Sequence, residues 1–178
     1  MQRFFIEQMA MYSAYHRDGR NKATHFVGVP AIALSLLIPM AMVRFAGIDS
    51  YTLSLATLFA VSVMVYWIVL DPPFGVVTAA IFVPAVWFAD WIAQHGGATA
   101  WSAFGILFVG GWIIQLVGHA FEGRKPALAD NLLQVLIAPV FLVGEIAFAF
   151  GLRRPLHDAM LRRMPAYLPK SGAAAAAE

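Results

Sequence analysis

The stretch TAWSAFGILFVGGWIIQLV, residues 99–117, decides how this chain is read. It carries no charge, and about twenty apolar residues are what a helix needs to cross the hydrocarbon core of a bilayer. Apolar stretches of similar length flank it: Phe26–Phe45, Tyr51–Leu70 and Phe74–Ala93 before it, and Leu132–Leu152 after it. The composition agrees. Of 178 residues, 61% are hydrophobic and 12% charged, against about 25% charged in a soluble domain. That is too little charge to cover a surface in water. The expected fold is an all-α polytopic membrane bundle of about five transmembrane helices with an N-terminal amphipathic helix.

The links between spans are short: Gly47 to Ser50, Asp71-Pro72-Pro73, and His95-Gly96-Gly97. Pro72 and Pro73 cannot continue a helix and the paired glycines weaken one, so neighbouring spans run antiparallel. Pro39, Pro84 and Pro139 fall inside spans, where membrane helices tolerate kinks. Ahead of the first span, Phe4, Phe5, Met9, Tyr12 and His16 recur at spacings of three or four on one face of an expected helix from Gln2 to His16, which we expect to lie in the membrane interface. The first 25 residues hold six charges and no apolar core of a secretory signal. One membrane domain is expected over residues 1–170: an interfacial helix and turn (1–25), the transmembrane bundle (26–152) and an amphipathic C-terminal segment (153–170). The alanine-rich residues 171–178 read as a disordered tail.

The chain has no cysteine, which excludes disulfides, thiolate metal sites and a cysteine nucleophile. The formal charge of +2 sits at the ends and in one loop. This pattern suits lipid headgroups and gives no continuous basic face for nucleic acid. If all five segments cross, six Lys and Arg fall on each side, and the positive-inside rule decides nothing. A fifth segment that fails to cross, as Glu145 within it allows, would put both termini on one side and settle the orientation.

Alternating crossings sort the polar groups by depth. His16, His25, His119, Glu122, Asn131 and Gln134 fall at one face, and Arg44, Asp90, His95 and Glu145 at the other, with His157 joining them if the fifth segment crosses. His119 and Glu122 are three apart and share a helix face. His16 and His25 are nine apart, and Asp18-Gly19 between them can break the helix so that both turn inward. Three imidazoles and a carboxylate suit ferrous iron, manganese or zinc. At the other face Arg44 would pair with Glu145 or Asp90, because lipid penalises lone charges.

These residues also carry a resemblance. Tyr15-His16, Arg20-Asn21-Lys22 and His25 to Pro30, followed by Gly111 to His119, Glu122, Lys125 to Leu128, Asp130 to Leu132, Gln134, Ala138-Pro139 and Glu145, resemble the fungal 2-hydroxy fatty acid dioxygenase family. The resemblance implies an Fe(II)-dependent enzyme of fatty acid α-oxidation that takes a 2-hydroxy fatty acid and dioxygen and removes one carbon. It implies His16, His25 and His119 as iron ligands and Glu122 as a fourth ligand or as the group fixing one. Glu122 and Asn131 are the implied catalytic residues, and Asn21, Arg20, Gln115 and Gln134 the implied substrate contacts. The expected location is an integral membrane one, the inner membrane in a bacterium or the endoplasmic reticulum in a eukaryote. Rival readings are another metal-dependent membrane lipid enzyme, for which five histidines are few, and a small transporter or assembly protein, for which no repeat is visible.

Overall fold

Asp18, Ser54 and Asp71 each start a helix in the same way, with a side-chain oxygen accepting from a backbone N–H two or three residues on. In the computed structural model, which describes residues 1–45 and 53–168, these caps open α2 (Gly19–Met42), α3 (Leu55–Leu70) and α4 (Pro72–Gln94). α1 (Gln2–Tyr15) precedes them. α5 (Gly97–Glu122), α6 (Gln134–Ala149) and α7 (Arg154–Arg163) follow, with short 3-10 turns at Ala127–Ala129 and Met164–Tyr167. The described strands are a two-residue antiparallel pair, β1 (Arg44–Phe45) and β2 (Leu53–Ser54). The link expected at Gly47 to Ser50 and the tail at 171–178 lie outside the described residues.

The chain is an all-α, membrane-type bundle. α2, α4 and α5 are long and apolar enough to cross a bilayer. α3, with 16 residues, is shorter but joins the same two ends. One end is marked by the Arg44–Asp90 ion pair at 2.6 Å, one of the two pairings expected for Arg44. The other is marked by Asp71 between α3 and α4, clasped through both carboxylate oxygens by Arg153 at 3.0 and 2.8 Å. α2 starts at Gly19, so the boundary expected at residue 25 moves and His25 belongs to the first long helix.

The fifth expected span is broken. α6 has 16 residues and breaks at Phe150–Arg153 into α7 and its 3-10 turn at an angle of 117°. Both ends of α6 are fastened to the Asp71 end. Gln134 Nε2 donates to Gln8 Oε1 at 2.7 Å, and Glu145 accepts from Lys22 Nζ, in the first turn of α2, at 2.5 Å. Glu145 is therefore not at the Arg44 end. Nor is His157, whose ring stacks on Phe148 at 4.4 Å. A carboxylate beside an ammonium at the rim is far less costly than one taken across lipid.

The place of α1 is corrected as well. Its face of Phe5, Met9 and Tyr12 is at most 4% exposed. It packs on Phe74, Phe141 and other residues of α3, α4, α6 and α7. The periodicity marks a face covered by protein, where a lipid-facing one was expected. α1, α6 and α7 thus form a layer across one end of the α2–α5 bundle.

This layer tips the charge balance. Among the described residues, Arg3, Arg17, Arg20, Lys22, Arg124, Lys125, Arg153, Arg154, Arg162 and Arg163 belong to the end that carries the layer, and Arg44 to the other. By the positive-inside rule the layered end is expected to face the cytoplasm. In a chain without cysteine this is readily checked with single thiols. A membrane-impermeant maleimide added to intact cells should label Ala98→Cys and spare Asp158→Cys. The reverse pattern would reject the orientation, and labelling of both would restore a fifth crossing.

Candidate metal centre

α2 and α5 approach closely along a seam of small residues. A Cβ on Gly28 would lie 3.1 Å from Gly111 O and 2.7 Å from Gln115 Cγ, and one on Gly118 would lie 2.0 Å from Thr24 Oγ1. Only glycine fits such contacts, and the seam sets the His25 and His119 rings 5.0 Å apart. The third imidazole arrives from the turn between α1 and α2. Glu122 Oε2, at the end of α5, accepts from Arg17 N at 3.0 Å, Asp18 N at 2.7 Å and Asn21 Nδ2 at 3.2 Å. The carboxylate thereby ties the turn to α5. His16, beside that turn, comes within 4.3 Å of the His25 ring and 5.1 Å of the His119 ring.

The three histidines are buried, at 1%, 2% and 6% exposure. One nitrogen from each lies within 4.8 Å of the other two. Their tautomers follow from their neighbours. His16 Nδ1 is 2.6 Å from Tyr12 O and His25 Nδ1 is 2.8 Å from Asn21 O. A carbonyl only accepts, so both Nδ1 atoms carry the proton. That leaves two bare Nε2 lone pairs facing each other at 3.0 Å. Two acceptors at this distance repel unless a cation lies between them. Two imidazole–metal bonds of about 2.1 Å at a right angle put their nitrogens about 3.0 Å apart. His119 Nδ1 is also buried without a hydrogen-bond partner. Burial, and then the His25 imidazole, push the His16 imidazole down to about 2, which keeps it neutral. Neutral rings whose remote N–H groups are held by backbone carbonyls are the form in which histidine binds metal. The donor set fits a divalent cation.

Glu122 is outside this group of nitrogens. Its bonded oxygen is taken up by the turn and by the Asn21 amide. Asn21 is fully buried and holds His25 through its carbonyl, with its amide on Tyr15 O and Glu122. Arg20 is exposed, bound to Asp18 at 2.8 Å and lying over the Phe121 ring. Asn131 joins Gln8 at 3.0 Å to the start of α6, where its Oδ1 accepts from Leu133 N. None of these four lines the cleft described next. His95 is at the opposite end of the bundle, against Trp91.

Gln115 and Gln134 do line it. The cleft begins at the three histidines and runs between α3 and α5 with α2 behind, about 880 Å³ in volume including its mouth. Its wall is almost wholly apolar. Gln134 is buried and its Oε1 has no partner.

Two residues around the centre are not expected there from the sequence: Tyr12 reads only as part of an apolar helix face, and Gln8 is not singled out. Tyr12 supplies the carbonyl for His16, lies flat on the same ring at 4.1 Å and 12°, and lines the cleft. Gln8 gathers both Asn131 and Gln134. The spacing Gln8, Tyr12, His16 at i, i+4, i+8 is the signal for them, since it stacks them along one face of α1.

A family model described as 2-hydroxy-palmitic acid dioxygenase Mpo1-like matches residues 2–150. The chain is 33% identical over 146 residues to the 2-hydroxy-palmitic acid dioxygenase MPO1 of Saccharomyces cerevisiae, covering 81% of this chain and 80% of that protein. No solved structure matches the chain.

The bonds to Glu122 distinguish a clamp from a ligand. Glu122→Gln keeps an acceptor for the Asp18 N–H and should lower the melting temperature in detergent only slightly. Glu122→Ala leaves donors unpaired and should cost about 1–3 kcal/mol. Equal losses in the two variants would show that the carboxylate charge matters more than the clamp.

Proposed function

The chain belongs to the 2-hydroxy-palmitic acid dioxygenase Mpo1-like family, and we propose that it is an Fe(II)-dependent membrane dioxygenase that shortens 2-hydroxy fatty acids by one carbon. The observation that carries this reading is the pair of bare imidazole nitrogens at 3.0 Å, completed by His119, at the head of an apolar cleft.

His16, His25 and His119 would hold the ion. Three neutral nitrogen donors leave coordination positions open, which suits iron that must also meet a substrate and dioxygen. When bound, the ion supplies the redox chemistry with dioxygen that side chains lack. The overall change, RCH(OH)COOH + O2 → RCOOH + CO2 + H2O, balances without a further electron donor.

The protein's own work is placement. Tyr12 O and Asn21 O hold two of the imidazoles in the tautomer that leaves Nε2 free. Glu122 keeps the α1–α2 turn against α5, so that His16 stays in reach of the other two. The polar head of the substrate would enter at the histidines, where Gln115 and Gln134 offer amides to a carboxylate or hydroxyl. An orphaned buried Gln134 Oε1 matches a hydroxyl donor, and its Nε2 is already fixed on Gln8. The acyl chain would lie along the apolar wall. The layer of α1, α6 and α7 keeps bulk water from the centre, which strengthens every polar contact inside it.

Anaerobically purified protein should hold about one iron per chain, as three ligands at one locus imply. His16→Ala, His25→Ala and His119→Ala should each lose it. Wild type given a 2-hydroxy fatty acid and oxygen should release the acid one carbon shorter. Variants that retain iron, or a product of unchanged chain length, would count against the proposal.

A further inference from the structure

The cleft is deeper than a carboxylate and hydroxyl require, and it has a floor. Along α2 its wall runs from His25 to Leu36, eleven residues or about 16 Å at 1.5 Å per residue. Along α3 it runs from Trp67 to Phe59, and along α5 from His119 back to Trp112. Below it the bundle closes. Leu37, Ile38, Ala41, Ala56, Ala89, Ile92 and Ala100 form a second apolar cluster, each at most 6% exposed. Phe59 packs against both that cluster and the one around α1 and α6. It therefore stands at the boundary between an open cleft and a filled core. A straight chain that reaches this level can go no further down the bundle.

We infer that the cleft is a gauge of acyl length, with Phe59 as its floor and Val63, one turn nearer the histidines, as the residue that sets its width midway. The occupant is the acyl chain of the 2-hydroxy acid, because the cleft is continuous with the three-histidine centre and its wall is apolar. The inference rests on the functional reading above and adds selectivity to it. A chain that fits between centre and floor is held along its whole length. A longer one has to bend out sideways between α3 and α5 and loses wall contact. Each methylene held in such a slot is worth a measurable factor in rate.

The test uses the full chain in phosphatidylcholine vesicles with two substitutions of opposite sign and two readouts. In competition among 2-hydroxy acids of graded length, Val63→Trp should move the preferred length shorter, and Phe59→Ala should move it longer. Each change should alter the ratio of short-chain to long-chain turnover by about tenfold or more. Both variants turning over substrate at the wild-type ratio would overturn the gauge. The second readout needs no turnover. Brominated fatty acids should quench tryptophan fluorescence with a saturable component that Trp112→Phe diminishes and that Val63→Phe, which narrows the cleft without adding a tryptophan, weakens for long chains. Trp87, Trp91 and Trp101 are exposed on the outside of the bundle and would report only unsaturable partition into lipid. Saturable quenching without any turnover would uphold the gauge and remove the dioxygenase reading. Turnover with purely unsaturable quenching would do the opposite.

Discussion

The contact on which the rest of the structure depends is the close approach of α2 to α5. Between helices in lipid there is little hydrophobic drive, because the tails are as apolar as the side chains. Association then comes from van der Waals packing, and small residues let backbones meet. Gly28, Gly111 and Gly118 provide this, with the Thr24 hydroxyl and the Asn21 amide set where a Cβ on Gly118 would be. Bringing His25 and His119 to one level is a direct consequence. So is the cleft, since α2 leans on α5 and leaves room between α5 and α3.

The layer of α1, α6 and α7 completes what the seam begins. It delivers His16, encloses the head of the cleft, and is itself fastened by polar contacts at the rim: Lys22 to Glu145, Arg153 to Asp71, Arg163 to Glu7. These ion pairs are partly exposed, and such pairs contribute little stability singly. Their value is in register. They fix the angle at which an apolar helix leaves the layer and returns to it. Ten basic side chains among the described residues lie at this same end.

Much of this was legible in the residues. Length and apolarity marked α2, α4 and α5, and the proline and glycine links marked where they turn. Alternation of those helices placed His16, His25 and His119 at one end, and the structure brings the three rings together there. The hydrophobic period of α1 was legible too, but the partner of its apolar face was not. A stripe every three or four residues says that one face is covered and is silent on whether lipid or protein covers it. The break in the fifth segment was not legible for a related reason. Its 21 residues from Leu132 to Leu152 satisfy a length rule, and it is the bend after α6 and the pairing of Glu145 with Lys22 that keep its C-terminal half near the Asp71 end.

By itself, then, the sequence determined that the chain is a helical membrane protein, which helices are long, and which imidazoles are at a common depth. These are properties of local pattern and of connectivity. The tertiary structure alone decided which carbonyls face His16 Nδ1 and His25 Nδ1, which backbone donors Glu122 accepts from, that Tyr12 stacks on His16, and that Phe59 lies between two apolar clusters. Each of those depends on distances of a few ångströms between residues far apart in the chain. Periodicity fixes the direction in which a side chain points, and packing fixes what it meets.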